Sequence, residues 1–230
     1  MNRPNQDNFA AWNEEMAQRH DPDLYHTQSP LPIRLIERRR VQVIINLLKV
    51  QQEHRILEVG CGAGNVLEQV GPSKRIGVDI STFLLGKSQQ RLGSNASLVQ
   101  MNAEQLAFSD HSFDRIYCTE VLEHVLHPKV VLSEMKRVLK PDGVAVVSVP
   151  NEGMINRIKN TVLAIPGARA LLKKSGNYDM PDHMEDEWHL HEFELEMLKD
   201  SVQGLFDIDC VKGIPSRLLP LRWVARLRPS

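Results

Sequence analysis

Two groups of residues in this 230-residue chain have the types and spacing to do chemistry. The first is Glu58-Val59-Gly60-Cys61-Gly62-Ala63-Gly64, which continues the apolar run Ile56-Leu57 and leads into Asn65-Val66. Glycine at every second position leaves no Cβ, so the backbone can turn tightly at a strand's carboxyl end and admit a ligand to van der Waals contact. A dinucleotide loop leaves two residues before its last glycine so that a pyrophosphate can sit on a helix N-terminus. Here one residue stands in that place. Glu58 would repel a pyrophosphate but can accept hydrogen bonds from an ammonium group. Asp79, near the end of Arg75-Ile76-Gly77-Val78-Asp79-Ile80, can accept both hydroxyls of a ribose. The ligand these residues imply has a ribose and an amino-acid end.

The second group is Glu120-Val121-Leu122-Glu123-His124. If helical, positions i, i+3 and i+4 put Glu120, Glu123 and His124 on one face. Carboxylates and an imidazole so placed can take the proton of an oxygen nucleophile or hold magnesium, manganese or zinc.

The elements that must position these groups follow from periodicity. Apolar residues from Ile33 to Lys49 recur at helical spacing, giving an amphipathic helix whose charges Glu37 to Arg40 form mainly a solvated face. Helix and strand then alternate: a helix near Ala63 to Val70, the strand ending at Asp79, a helix from an N-cap at Ser81 to Leu92, and strands at Leu98–Met101 and Ser112–Thr119. A helix entered through Pro128 follows, then a turn at Pro141-Asp142-Gly143 and the strand Val144–Val149. Such alternation predicts a parallel sheet with helices on both faces and a ligand at the strands' carboxyl ends. Residues 1–32, broken by Pro22, Pro30 and Pro32, read as a mobile N-terminal arm in which Tyr25 or His26 can reach the ligand.

Past Pro150 the alternation fails for some forty residues, about 151–191, too long for an ordinary connection. Met154, Ile155, Ile158, Val162 and Ile165 make an apolar stripe, Pro166-Gly167 breaks it, and Ala168 to Lys174 reads as a short basic helix. This insertion is either a lid over the substrate or a basic amphipathic element resting on a membrane surface. Beyond an acidic stretch, Asp179 to Glu187, a helix runs to about Val202 and a strand spans Leu205–Val211. The period-two stretch Arg222–Arg228 reads as a last, antiparallel strand.

From Leu47 to Asn151 this succession of motifs resembles the class I S-adenosylmethionine-dependent methyltransferases. The resemblance implies an α/β Rossmann-like, doubly wound, seven-stranded sheet, mostly parallel with an antiparallel last strand, helices on both faces and a helical lid, within one domain spanning 33–230. It further implies S-adenosylmethionine as cofactor. Glu58, Gly60, Gly62 and Gly64 then run along the methionine part, Asp79 and Ile80 hold the ribose, Asn102, Ala103 and Glu104 bracket the adenine, and Thr119 lies at the end of the fourth strand. The family more often has aspartate where this chain has Asn102. The Glu-x-x-Glu-His run resembles those of ubiquinone-biosynthesis O-methyltransferases and of enzymes that methylate the terminal 2′-hydroxyl of small RNAs. Both imply a divalent metal on Glu120, Glu123 and His124, to which the RNA group adds a later histidine, His189 or His191 here. Glu-His at this place is also widespread in small-molecule methyltransferases that hold no metal. The expectation adopted is a metal-free site with His124 as base, aided by Glu123, Glu120 and His191.

Composition sets the partners. With 28 Lys plus Arg against 29 Asp plus Glu, the net charge of −1 gives no whole-protein field to recruit nucleic acid, and the apolar stripe of the insertion implies a small acceptor with apolar area. A non-catalytic cofactor-binding module is the reading from another class. Cys61, Cys118 and Cys210 lack any Cys-x-x-Cys pairing and suit a reducing compartment. With no apolar leader at Met1–Asp7, the expected location is cytoplasmic, with peripheral membrane contact through the insertion as the other reading.

Overall fold

The computed structural model describes residues 3–71, 73–163 and 188–230. Strands β1 (Arg55–Val59), β2 (Lys74–Asp79), β3 (Ser97–Gln100), β4 (Phe113–Thr119), β5 (Leu139–Pro150), β6 (Phe206–Pro215) and β7 (Pro220–Pro229) form one sheet in the order β3-β2-β1-β4-β5-β7-β6. The first five are parallel, and β7 runs antiparallel between β5 and β6. This is the doubly wound sheet with an antiparallel last strand that the sequence predicts. Strand order reverses between β1 and β4, which opens a crevice at their carboxyl ends. Val144 to Val149 read as one apolar run because β5 is covered on both faces.

The helices are α1 (Phe9–His20), α2 (Pro22–Gln28), α3 (Leu31–Leu48), α4 (Thr82–Leu92), α5 (Pro128–Val138), α6 (Glu152–Leu163) and α7 (Leu195–Val202). One apolar layer gathers Phe9, Trp12 and Met16 of α1 with Val131, Leu132 and Met135 of α5 and Leu198 of α7. The other packs Val41, Ile44 and Leu48 of α3 on Ile56, Tyr117, Val146 and Val224.

Three expectations are corrected. The segment up to Pro32 is no irregular arm: α1 and α2 lie on the domain, with Phe9, Trp12 and Met16 buried at helical spacing. The prolines were read as breakers, but Pro22 and Pro32 stand in the first turns of α2 and α3, where the missing N–H has no intrahelical acceptor to lose. No α-helix spans Ala63 to Val70; only the 3-10 turn Leu67–Gln69 forms there. The predicted turn at Pro141-Asp142-Gly143 falls inside the span of β5, in the stretch Lys140 to Gly143 that has no partner in β4 between the pairs Phe113–Leu139 and Arg115–Val144. Of the insertion, α6 and the residues from Trp188 onward are described, whereas Ile165, the predicted basic helix at Ala168–Lys174 and the acidic run Asp179–Glu187 lie outside the described residues. So do the side chains of Tyr25 and His26 in α2.

The face of α3 expected to be solvated carries a buried ion pair. Glu37 and Arg40 are 5% and 2% exposed, and the Glu37 carboxylate accepts from Arg40 Nε at 2.8 Å and Nη2 at 2.7 Å. Arg40 Nη1 also donates to Ser148 Oγ of β5 at 3.2 Å and stands 3.9 Å from Glu120. Despite its burial Arg40 is held more firmly protonated than usual, because the Glu37 and Glu120 carboxylates outweigh the desolvation that works the other way. Replacing Arg40 with Ala leaves two carboxylates without their shared cation and should cost about 3 to 5 kcal/mol in urea unfolding. A loss of about 1 kcal/mol or less, typical of exposed pairs, would show that the pair is solvated after all.

Candidate active site

A cleft of about 1220 Å³ opens at the carboxyl ends of β1, β2, β4 and β5. The half expected to take the cofactor begins at the glycine loop. Gly60 has φ +71°, and a Cβ there would stand 2.3 Å from Val121 Cγ2, so the loop and the turn after β4 fit together only through glycine. Gly62 has φ +51° and an added Cβ would meet nothing within 4 Å; the space above it belongs to the cleft. Gly62 N–H donates to Asp79 Oδ2 at 2.8 Å and Ser81 N–H to Asp79 Oδ1 at 2.9 Å, which aims the carboxylate along the loop. Burial raises the Asp79 pKa against the pull of these bonds.

Glu58 is 1% exposed yet borders the cleft, and its Oε2 accepts from Tyr117 O–H at 3.0 Å. Burial pushes its pKa well above the carboxylate range, with Tyr117 and Arg40 only partly offsetting this. A ligand ammonium would supply the missing positive charge, so the residues present fit the amino-acid end the loop implies.

Farther along, Ile80, Asn102, Ala103 and Thr119 line the cleft. Asn102 Oδ1 accepts from Glu104 N–H at 2.9 Å, closing the turn after β3. Two cofactor-side positions face elsewhere. The Glu104 carboxylate binds His127 through its backbone N–H at 2.8 Å and its ring at 2.9 Å, and so holds the start of α5. A Cβ on Gly64 would strike Ser88 Oγ at 2.7 Å, which marks Gly64 as a packing position against α4.

The turn after β4 departs from expectation. Glu120 is left-handed (φ +56°) and Leu122 to His124 form a turn, so Glu120, Glu123 and His124 do not share a helical face. Glu120 instead accepts from Ser148 Oγ at 2.7 Å and pairs with Arg222 Nε of β7 at 2.6 Å. Its carboxylate braces the turn where Glu120 lines the cleft. Glu123 and His124 meet His189, their ligand atoms all lying within 4.8 Å of one another. Glu123 is 1% exposed, and its Oε2 has no hydrogen-bond partner among the described residues. Burial, with the Glu120 charge adding to it, raises its pKa to about 8. Burial lowers that of His124 to about 3, so the ring is neutral.

His189 reaches this place because Leu190 N–H and His191 N–H both donate to the Glu123 carbonyl, at 2.7 and 3.2 Å. The His191 ring binds the Val125 carbonyl at 2.9 Å through Nε2 and thereby fastens the two segments together. His191 thus supports the turn while also lining the cleft. The His189 ring is oriented by Glu152 of α6, Nδ1 to Oε1 at 2.9 Å.

Sequence reasoning missed Trp188, Asn13 and Arg40. Trp188 packs against His124 with ring centroids 4.7 Å apart, and its carbonyl lies 3.2 Å from His124 Nδ1. With the proton on Nδ1 donated there, His124 Nε2 is the free acceptor. Trp188 Nε1–H donates to Asn13 Oδ1 of α1 at 3.0 Å, which ties the first helix to the site. An indole immediately before the first of the paired histidines was a weak signal; Asn13 carried none.

The two perturbed groups act on stability in opposite directions. The raised Glu123 pKa contributes stability that is complete below the ordinary carboxylate range and is lost as pH rises through about 8; the lowered His124 pKa contributes above the ordinary histidine range and is lost as pH falls toward 3. In chelator-treated protein, Glu123→Gln should therefore raise the melting temperature by several degrees near about pH 9 and change it little near about pH 5. Equal effects at the two pH values would show that Glu123 is not held protonated.

Residues 57–147 match the family model described as a methyltransferase domain. The chain is 34% identical over 125 residues to the ubiquinone biosynthesis O-methyltransferase of Methylococcus capsulatus, covering 52% of this chain and 51% of that protein. It is 34% identical over 112 residues to the demethylmenaquinone methyltransferase of Geobacillus stearothermophilus, covering 45% and 48%. The chain thus spans about half the length of the curated relatives it matches. In fold it is similar to the magnesium protoporphyrin IX methyltransferase of Synechocystis with bound S-adenosylhomocysteine, with TM-score 0.66, 14% identity and coverage of 96% of this chain and 100% of that one.

Proposed function

From a chain that carries the domain of the class I S-adenosylmethionine-dependent methyltransferases, we infer methyl transfer to an oxygen of a small, partly apolar acceptor. One observation supports this above others: a single cleft joins Gly62 and Asp79 to the Glu123–His124–His189 cluster, with Trp188, Leu190 and Ile155 supplying apolar wall beside it. When bound, S-adenosylmethionine supplies an activated methyl group and its own leaving group. The chain's part is to align the acceptor, exclude water and remove its proton.

For the proton, the environment favours Glu123 over His124. An imidazole with a pKa near 3 is neutral and can orient an acceptor hydroxyl through Nε2, yet it is too weak a base to hold that proton at neutral pH. A carboxylate raised to about 8 with an unpartnered oxygen is well matched to the task. Glu123→Gln should lower kcat about a hundredfold to ten-thousandfold, and the wild-type rate should rise with pH to a plateau above about 8. His124→Ala should act less on kcat and more on acceptor KM. A rate independent of pH through this range would remove Glu123 as base.

A second reading has its own observation. A buried carboxylate oxygen without a partner, beside two imidazoles, is also a cation's donor set, and the residues fit it: Glu123, His124 and His189 would hold a divalent metal, with Glu152 orienting His189. Such an ion would supply Lewis-acid help to an acceptor hydroxyl. Chelation should leave activity unchanged if Glu123 is the base, and should abolish it, restorably, if the metal reading holds.

Cofactor placement is tested separately by calorimetry. S-adenosylmethionine and S-adenosylhomocysteine should bind and NAD should not. Asp79→Ala should weaken binding roughly tenfold to a hundredfold through loss of charge-assisted hydrogen bonds. Unchanged affinity would displace the ribose from Asp79.

A further inference from the structure

Of the seven exposed large apolar side chains among the described residues, five fall on two segments: Leu24, Leu31 and Leu35 on α2 and α3, and Leu218 and Leu219 between β6 and β7. The fold brings both segments to one rim. Arg40 bonds Ser148 near the end of β5 while the Leu48 carbonyl accepts from Arg115 near the start of β4, so α3 runs antiparallel to the strands. Its first nine residues therefore project about 13 Å past the Arg40 level at the helical rise, beyond the strands' carboxyl ends. Beside it, the last residue of β5, Pro150, pairs with Arg222, and the β6–β7 hairpin continues past it to the tip at 216–219. Ile214, at the root of that tip, is buried in the same apolar layer as α3. Both projections adjoin the cleft, whose lining includes Leu24, Pro30, Pro150 and Arg222.

The charges on these projections have one sign. Leu31, Leu35 and Arg38 recur at i, i+4 and i+7 along one exposed face of α3, with Arg39 beside them, and Arg217 precedes Leu218. The acid within this part of α3, Glu37, is turned inward to Arg40, and residues 211–223 contain no acid. Asp21 and Asp23 of the adjoining α1–α2 corner are engaged with Lys87 and Arg91. Exposed leucines interspersed with arginines, without a facing carboxylate, are complementary to an anionic lipid surface: apolar tips enter the headgroup region and guanidiniums meet phosphates.

We propose that this rim docks the protein on anionic bilayers, through the amino-terminal half of α3 and the β6–β7 hairpin tip, with the mouth of the cleft facing the lipid. The docking stands apart from methyl transfer; that an acceptor carried in the bilayer enters the cleft from it rests on the reading proposed above. The test uses flotation with vesicles of phosphatidylcholine plus phosphatidylglycerol and with vesicles of phosphatidylcholine alone, with no acceptor or cofactor present, so its outcome does not depend on catalysis. Binding is expected to the anionic vesicles at low salt and to fall steeply as salt is raised. The double variant Leu218→Asp/Leu219→Asp, and separately Arg38→Glu/Arg39→Glu, should each weaken vesicle binding at least about tenfold, while circular dichroism and S-adenosylhomocysteine affinity stay as in the wild type. No binding at low salt, or binding that both variants leave intact, overturns the proposal. Self-association that the same variants abolish, without vesicle binding, would assign the rim to a protein contact and overturn it equally.

Discussion

The structure depends most on a set of charges taken out of water. Glu37, Arg40, Glu120 and Arg222 come from α3, the turn after β4 and the antiparallel β7, and Ser148 of β5 hydrogen-bonds among them. Removing such groups from solvent is costly, and the cost is met only where every charge has an opposite neighbour at good distance. That condition fixes the turn. Glu120 sits in a left-handed conformation that disfavours side chains with a Cβ, and its two shortest contacts, to Arg222 and Ser148, hold it there. Val121 then fills the concavity that Gly60 leaves, and Glu123 and His124 arrive where the cleft needs them.

A second feature is charge left uncompensated. Glu58 and Glu123 are almost wholly buried on the two sides of the cleft, and burial raises both above the ordinary carboxylate range. Each lacks what Glu37 and Glu120 have, an adjacent guanidinium. Uncompensated carboxylates in a low-dielectric site favour positive charge or a proton in their vicinity, and the function proposed above would use both. The same physics explains the neutral His124, whose proton on Nδ1 goes to a backbone carbonyl and whose burial discourages a second one.

The pieces that complete the site come from far along the chain. Trp188 is 175 residues from Asn13 and 64 from His124, yet it bonds to both. Backbone donors of Leu190 and His191 on the Glu123 carbonyl set the register of that meeting. Because α1 is stitched to Trp188 on one side and, through Glu14, to Thr82 and Phe83 at the start of α4 on the other, the first helix belongs to the site's wall.

The amino-acid sequence by itself determined the sheet, its doubly wound order and the placing of the glycine loop and Asp79 on one cleft. Those features are local: a glycine spacing, an acid at a strand end and an alternation of periods are each readable within a dozen residues. It also brought Glu123, His124 and His189 into one set of candidates, although the helical face imagined for the first two was wrong. What only the tertiary structure decided was the assignment of roles. Glu120 and Glu123 are the same residue type three positions apart, and one braces a turn while the other keeps an unpartnered oxygen, because Arg222, about a hundred residues later, reaches the first and not the second. Likewise Pro22 and Pro32 look like breakers in a string of letters and act as helix starters in space, and the charged face of α3 looked solvated until β5 and β7 closed over it. Side-chain roles in this protein are set by which distant charge arrives beside each group, and nothing in the local pattern encodes that arrival.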